Sequence, residues 1–313
     1  MKKTILILLL AVSVCSFSYA QRVYIAGIDG DDAVFWFNGT RNVLPKTSTY
    51  AGANSIAISG SNIYIAGYDG DDAVYWLNGI RNVLPKAGSD AYASVVYISG
   101  FNIYIGGYDD ENAVYWLNGR REFLPGDGSY AEATGITISG SDVFISGIEY
   151  FNGCCDDDYP CYDSVYWKNN EQYYLEYDNC WSNAFNVTAS GSYVYFIGDD
   201  TDDAVYWLNG NKTVLPRFNN RAAAMGIAVS GSNVHIVGYD GDDAVYWLNG
   251  KQTVLQKYRS SSHILATAIA LSGNNVYISG CDDTDAVFWL NGNRNVLPKN
   301  GNSAHAIDIV VIR

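Results

Sequence analysis

The sequence predicts an all-β fold, a seven-bladed β-propeller of four-stranded antiparallel blades, and three observations predict it. First, the phrase Asp-Ala-Val-Tyr-Trp-Leu-Asn-Gly recurs with small changes, its tryptophan falling at Trp36, Trp76, Trp116, Trp167, Trp207, Trp247 and Trp289. The intervals are 40, 40, 51, 40, 40 and 42 residues, the length of one propeller blade. Second, Asn-Gly separates β-rich segments in nearly every unit. That is a hairpin signal, because both central residues of a type I′ turn take positive φ. Third, the repeats open on a second strand, Val23 to Gly27, and close on a first strand, Ile307 to Ile312. The C-terminal strand can therefore complete the N-terminal blade and close the ring, which removes edges that would otherwise pair with other chains.

Residues 1–20 read as a signal peptide. Lys2 and Lys3 precede an apolar run from Ile5 to Val14, and Ser18-Tyr19-Ala20 supplies a small-residue cleavage site. Val14 sits where lipoprotein processing before Cys15 would need a small residue, so cleavage is expected after Ala20. Residues 21–313 form the propeller. The chain is expected to be exported, to the periplasm or beyond the cell. No second apolar stretch reaches membrane-spanning length, so no membrane insertion is expected.

The second unit shows the elements in order. Ser55-Ile56-Ala57-Ile58 alternates as a first strand and turns at Ser59-Gly60-Ser61-Asn62. Ile63 to Gly67 is the second strand, followed by the acidic loop Asp69-Gly70-Asp71-Asp72. Ala73 to Leu77 is the third, apolar on both faces as stacked blades require. Asn78-Gly79 turns the chain into a short fourth strand ending at Pro85. Alternation puts the Ser-Gly-Ser-Asn and Asn-Gly turns on one face. The acidic loops and interblade links lie on the other, where repeat scaffolds place variation and function.

Charge follows the same division. Removing Lys2 and Lys3 takes the formal charge from −14 to −16, and 24 of the 33 Asp and Glu residues lie in the acidic loops. A rim of that sign argues against nucleic acid or an anionic membrane as partner. No cofactor is required. Calcium is the one ion the loops admit, at Asp69, Asp71, Asp72 and their equivalents. The competing reading makes them turn residues, with the last acid (Asp32, Asp72, Asp163, Asp203, Asp243, Asp285) accepting backbone hydrogen bonds. The spacing matches no EF-hand, and Asn112 in the last position favours the structural reading.

Otherwise similar units differ in their interblade links. Counting back ten residues from the glycine after each first strand gives Tyr50, Asp90, Tyr130, Trp181, Arg221 and His263, with Ser303 or His305 nearby in the last unit. A ring of Tyr50, Asp90, Tyr130, Trp181, Arg221, His263 and His305 around a shallow funnel suits a glycan or a protein, through stacking and hydrogen bonding. Unconstrained drift in the links is the alternative. Trp181 is the one tryptophan outside the blade phrase. The fourth unit is longer by 11 residues, all in its acidic loop, which carries Cys154, Cys155 and Cys161; Cys180 lies in the following link. In an oxidising compartment a disulfide from Cys180 to Cys155 or Cys161 would staple a lid beside Trp181. Paired CxxC spacing for zinc is missing.

Catalysis finds little support. His235 takes a strand position that is Tyr or Phe in the other units, and there is no HExxH, GxSxG or phosphate-binding glycine motif. The reading is therefore a secreted, non-catalytic binding scaffold using its acidic face. A propeller glycoside hydrolase or polysaccharide lyase is the alternative, since carboxylates are abundant but none is singled out.

The copies of Asp-Ala-Val-Tyr-Trp-Leu-Asn-Gly followed by Asn-Val-Leu-Pro, alternating with Val-Ser-Gly-Ser-Asn-Val-His-Ile-Val-Gly-type hairpins, resemble bacterial secreted propeller-repeat proteins. The resemblance covers the mature chain. It implies export and a propeller scaffold and carries over no catalytic residues.

Overall fold

The computed structural model describes residues 21–151, 161–175, 181–259 and 263–313. The leader expected over residues 1–20 and Cys154, Cys155 and Cys180 lie outside the described residues. The strands form seven four-stranded antiparallel sheets. Blade 1 holds β1 (Arg22–Asp29), β2 (Asp32–Phe37) and β3 (Thr40–Val43), completed by β28 (Ala304–Ile312), which pairs antiparallel with β1. Blade 2 is β4 (Ala51–Ser59), β5 (Asn62–Asp69), β6 (Asp72–Leu77) and β7 (Ile80–Val83). Blades 3 to 7 repeat this order, and the ring closes through the termini as the sequence predicts.

The hairpin chemistry is local. Asn78 and Gly79 both take positive φ, 52° and 80°. The Asn78 Oδ1 accepts the Ile63 amide at 2.9 Å, and the same bond recurs in all seven units. The tryptophans lock blade to blade. All seven are fully buried, and Trp76 Nε1 donates to the Pro45 carbonyl of the preceding unit at 2.8 Å. Trp36, Trp116, Trp167 and Trp247 do the same to Pro298, Pro85, Pro125 and Pro216, while Trp289 uses the Gln256 carbonyl. A buried indole N–H needs such a partner. The recurring Leu-Pro step supplies it beside a buried leucine.

First strands differ from the sequence reading in length. β4 begins at Ala51, four residues before Ser55, because a bulge between Ala53 and Ser55 lets the ladder continue toward the acidic face. The bulge presses the Gly52 carbonyl against Gly67, where a Cβ would overlap that oxygen. A glycine stands at this place in every unit for that reason. First strands of all seven blades line an axial cavity of about 590 Å³.

Candidate functional site

The acidic loops and interblade links meet on one rim, and their carboxylates divide by position. The first acid of each loop is buried, and in the long fourth loop Asp163 is buried as well. Asp69 accepts from the Thr47 amide (2.8 Å), the Thr47 hydroxyl (2.8 Å) and the Ser48 amide (2.9 Å), and Arg81 Nε lies 2.6 Å away. Asp29, Asp109 and Asp240 take paired link amides in the same way. Burial alone would raise the Asp69 pKa; the Thr47 and Ser48 donors and Arg81 outweigh it and hold the carboxyl below its ordinary value. Asp29 and Asp240 are lowered against burial in the same manner.

This corrects the sequence reading, which gave the backbone-acceptor role to the last acid. Asp32, Asp72 and Asp285 instead pair with Lys46, Lys86 and Lys299, each at 2.9 Å. Asp203 pairs with Arg217 and Asp243 with Lys257. The acid at the end of the second strand points inward to where link amides converge, and in the third unit Asp110 takes a further pair, the Ser89 and Asp90 amides. For calcium, both oxygens of Asp69 face N–H donors and Asp72 faces Lys86, while Asp71 Oδ1 accepts from the Tyr50 hydroxyl at 3.0 Å. The described residues contain no group of three or more His, Cys, Asp or Glu placed to hold a metal.

The residues singled out in the links share one backbone role. The carbonyls of Tyr50, Asp90, Trp181, Arg221 and His263 accept the amides of Gly70, Asp110, Thr201, Gly241 and Asp283. Each donor is a positive-φ residue at a loop tip. Ser303 holds this place in the last link, receiving the Gly30 amide at 2.8 Å. His305 stands two residues on, its Nε2 3.2 Å from Ser303 Oγ. Tyr130 departs from the pattern as the first residue of its blade's inner strand, paired with Tyr150. His263 Nδ1 lies 2.6 Å from Asp242, both exposed. His235 is buried against the Tyr246 hydroxyl (2.6 Å), and burial lowers its pKa, as suits a packed strand residue.

Sequence reasoning missed what joins these positions. Tyr50, Tyr68, Tyr92, Tyr108, Tyr130, Tyr150, Tyr162 and Trp181 form one unbroken arc, with successive ring centroids 6.1, 4.9, 5.5, 5.4, 4.9, 4.4 and 5.5 Å apart. It crosses blades 2 to 4 and ends on the link into blade 5. Gly52 makes room for it, since a side chain there would strike the Tyr68 ring. The signal was present as Tyr68 and Tyr108, each just before the buried acid of its loop. Interior rings are half-buried, while Tyr50 (45%) and Trp181 (48%) are exposed at the ends.

Glu132 sits amid the arc, accepting from Ser94 Oγ at 2.6 Å and the Tyr130 hydroxyl at 3.5 Å, and burial raises its pKa. Burial first, then Asp90 and Glu132, push Tyr108 up to about 12. Beyond Trp181, in the inner strand that it precedes, Asn183 Nδ2 donates to Asp199 Oδ1 at 2.7 Å, and Arg221 lies 3.7 Å from Asp199 Oδ2. Burial raises the Asp199 pKa despite these partners.

No family model and no curated protein matches the chain. Among solved structures it is similar to the computationally designed Ika8 protein, at 16% identity and TM-score 0.47, over 80% of this chain and 73% of that one. It is also similar to a chain of a Nidogen/Laminin complex, at 9% identity and TM-score 0.48, over 93% and 98%.

Proposed function

We propose that the protein is an exported, non-catalytic binding protein that holds a glycan chain on its acidic-loop face. The aromatic arc carries this reading. It ends on the half-exposed Trp181 ring, next to the fixed polar groups of Asn183, Asp199 and Arg221. A sugar presents an apolar C–H face and a polar hydroxyl edge, and this end of the arc offers a surface for each. The leader at residues 1–20 supplies the route of export. A disulfide from Cys161 to Cys154, Cys155 or Cys180 would brace the long loop beside the site. Cys161 is buried directly before Tyr162, which bridges to Trp181, and Cys281 is the free thiol among the described cysteines.

The test is a glycan array probed with the oxidised mature protein and with Trp181→Ala. Hits should weaken by about tenfold or more in the variant, a loss of roughly 1.4 kcal/mol, and should be equal in calcium and in chelator. Undiminished binding by Trp181→Ala would sink this reading. Product release on prolonged incubation would move the protein to the hydrolase or lyase class.

A further inference from the structure

We infer that the glycan is cationic, a chain of amino sugars with free amines, lying along the tyrosine arc with its ammonium groups among the Tyr50–Asp71, Tyr108–Asp90 and Tyr130–Glu132 pairs. This rests on the glycan reading above and names its chemistry.

Three observations carry it. Between its two ends the rings of the arc stack, tilt or meet edge to face, so neighbours cover part of each ring. The arc sets phenol hydroxyls and carboxylates side by side, Tyr50 with Asp71 and Tyr130 with Glu132, and a carboxylate accepts a charge-assisted hydrogen bond from an ammonium group that a neutral sugar cannot offer. Next, the acids beside the arc belong to the part of the rim that no Lys or Arg among the described residues neutralises, as do Asp31, Asp202 and Asp283 on other blades. Asp32, Asp72, Asp203, Asp243 and Asp285 are neutralised by Lys or Arg, whereas Asp71 and Glu132 are met by hydroxyls of Tyr50, Ser94 and Tyr130. Among the described residues no ion pair reaches Asp71, Asp90 or Glu132. Finally, the ring contains its own control. The paired rim positions of blades 1 and 7 are Ile28 with His305 and Cys281 with Leu265, so the continuous aromatic surface, with unneutralised acids against it, lies on one side. An elongated ligand running along several blades fits that layout better than a compact one on the axis. The raised Tyr108 and Tyr130 pKa values agree, since facing carboxylates add to burial in both.

The experiment is calorimetric titration of the oxidised mature protein at about pH 5.5, where a free sugar amine is protonated and exposed carboxylates are charged. The probes are β-1,4-linked glucosamine, N-acetylglucosamine and glucose oligomers of equal length. The free-amine chain should bind about tenfold tighter than the other two. The double variant Asp71→Asn/Asp90→Asn should lose that preference while melting like the parent. Equal binding of the acetylated or neutral chain overturns the amine inference and leaves the glycan reading standing. Binding of none of the three ends the amine inference, a silent glycan array beside it ends the glycan reading as well, and oligolysine binding in that case would assign the arc to a basic peptide.

Discussion

Asp69 and Asp71 are two residues apart in one loop, yet the structure assigns them opposite fates on mutation. The Asp69 side chain is fully buried, accepts from the Thr47 amide and hydroxyl and the Ser48 amide, and forms an ion pair with Arg81. Asp69→Ala leaves two part-buried amides without their acceptor, about 1–2 kcal/mol each. It also strips Arg81 of its near partner, a loss discounted because Asp72 lies 3.7 Å from the same guanidinium. The sum is about 4 kcal/mol, and at roughly 2–4 °C per kcal/mol for a chain of this size Tm should fall by about 12 °C. Asp71 is exposed and, among the described residues, bonds through its side chain only to Tyr50, so Asp71→Ala should stay within about 0.5 kcal/mol. Calorimetric and urea melts of both variants decide it, with Asp69→Asn as a milder probe if the alanine variant does not fold. Because the folded pKa of Asp69 is lowered from 3.8, its contribution is present above that value and is lost as pH falls through the folded pKa. The Asp69→Ala deficit should therefore shrink in acid. Equal melts for the two alanine variants at neutral pH would refute the assignment.

Other outcomes follow from the same geometry. Gly67→Ala forces a Cβ onto the Gly52 carbonyl and should destabilise by about 3 kcal/mol or more, read in a urea melt. Removing residues 304–313 deletes the strand that closes blade 1 and exposes the edge of β1, so chromatography should show association or loss of the folded monomer. Asp308, lining the axial cavity, accepts from Ser55 Oγ, Ile56 N and Ile309 N with no basic partner among the described residues. Burial raises its pKa above the unfolded value, so it destabilises once pH exceeds that value. Asp308→Asn should match or exceed the parent Tm at neutral pH, and a clear fall would contradict this.

Most of the architecture was legible because it is written in chemistry with one local solution. The tryptophan interval gives blade length, Asn-Gly at positive φ gives the hairpins, and Val23 with Ile307 to Ile312 gives the closure. Less legible was anything decided between units. Asp69 finds its donors in Thr47 and Ser48, 22 and 21 residues earlier, so the loop string Asp-Gly-Asp-Asp could not say which acid turns inward. Tyr50, Tyr130 and Trp181 stood out because the links vary. Nothing in the sequence marked Tyr92 or Tyr150, and their place in the arc emerges only when neighbouring blades are set side by side. The bulge at Ala53–Ser55 was invisible for the same reason: it is a property of strand pairing, marked in sequence only by Gly67.

The most direct test of the central claim, that the acidic-loop face and its arc bind a glycan, uses the tryptophans themselves. Seven are fully buried in blade joints, and Trp181 is 48% exposed at the end of the arc. With 5-fluorotryptophan incorporated, fluorine NMR can follow each of them while an array-selected oligosaccharide is titrated. The account expects the Trp181 resonance, assigned by Trp181→Phe, to shift with saturation while the other seven hold still. Saturable binding that leaves Trp181 unmoved would contradict it.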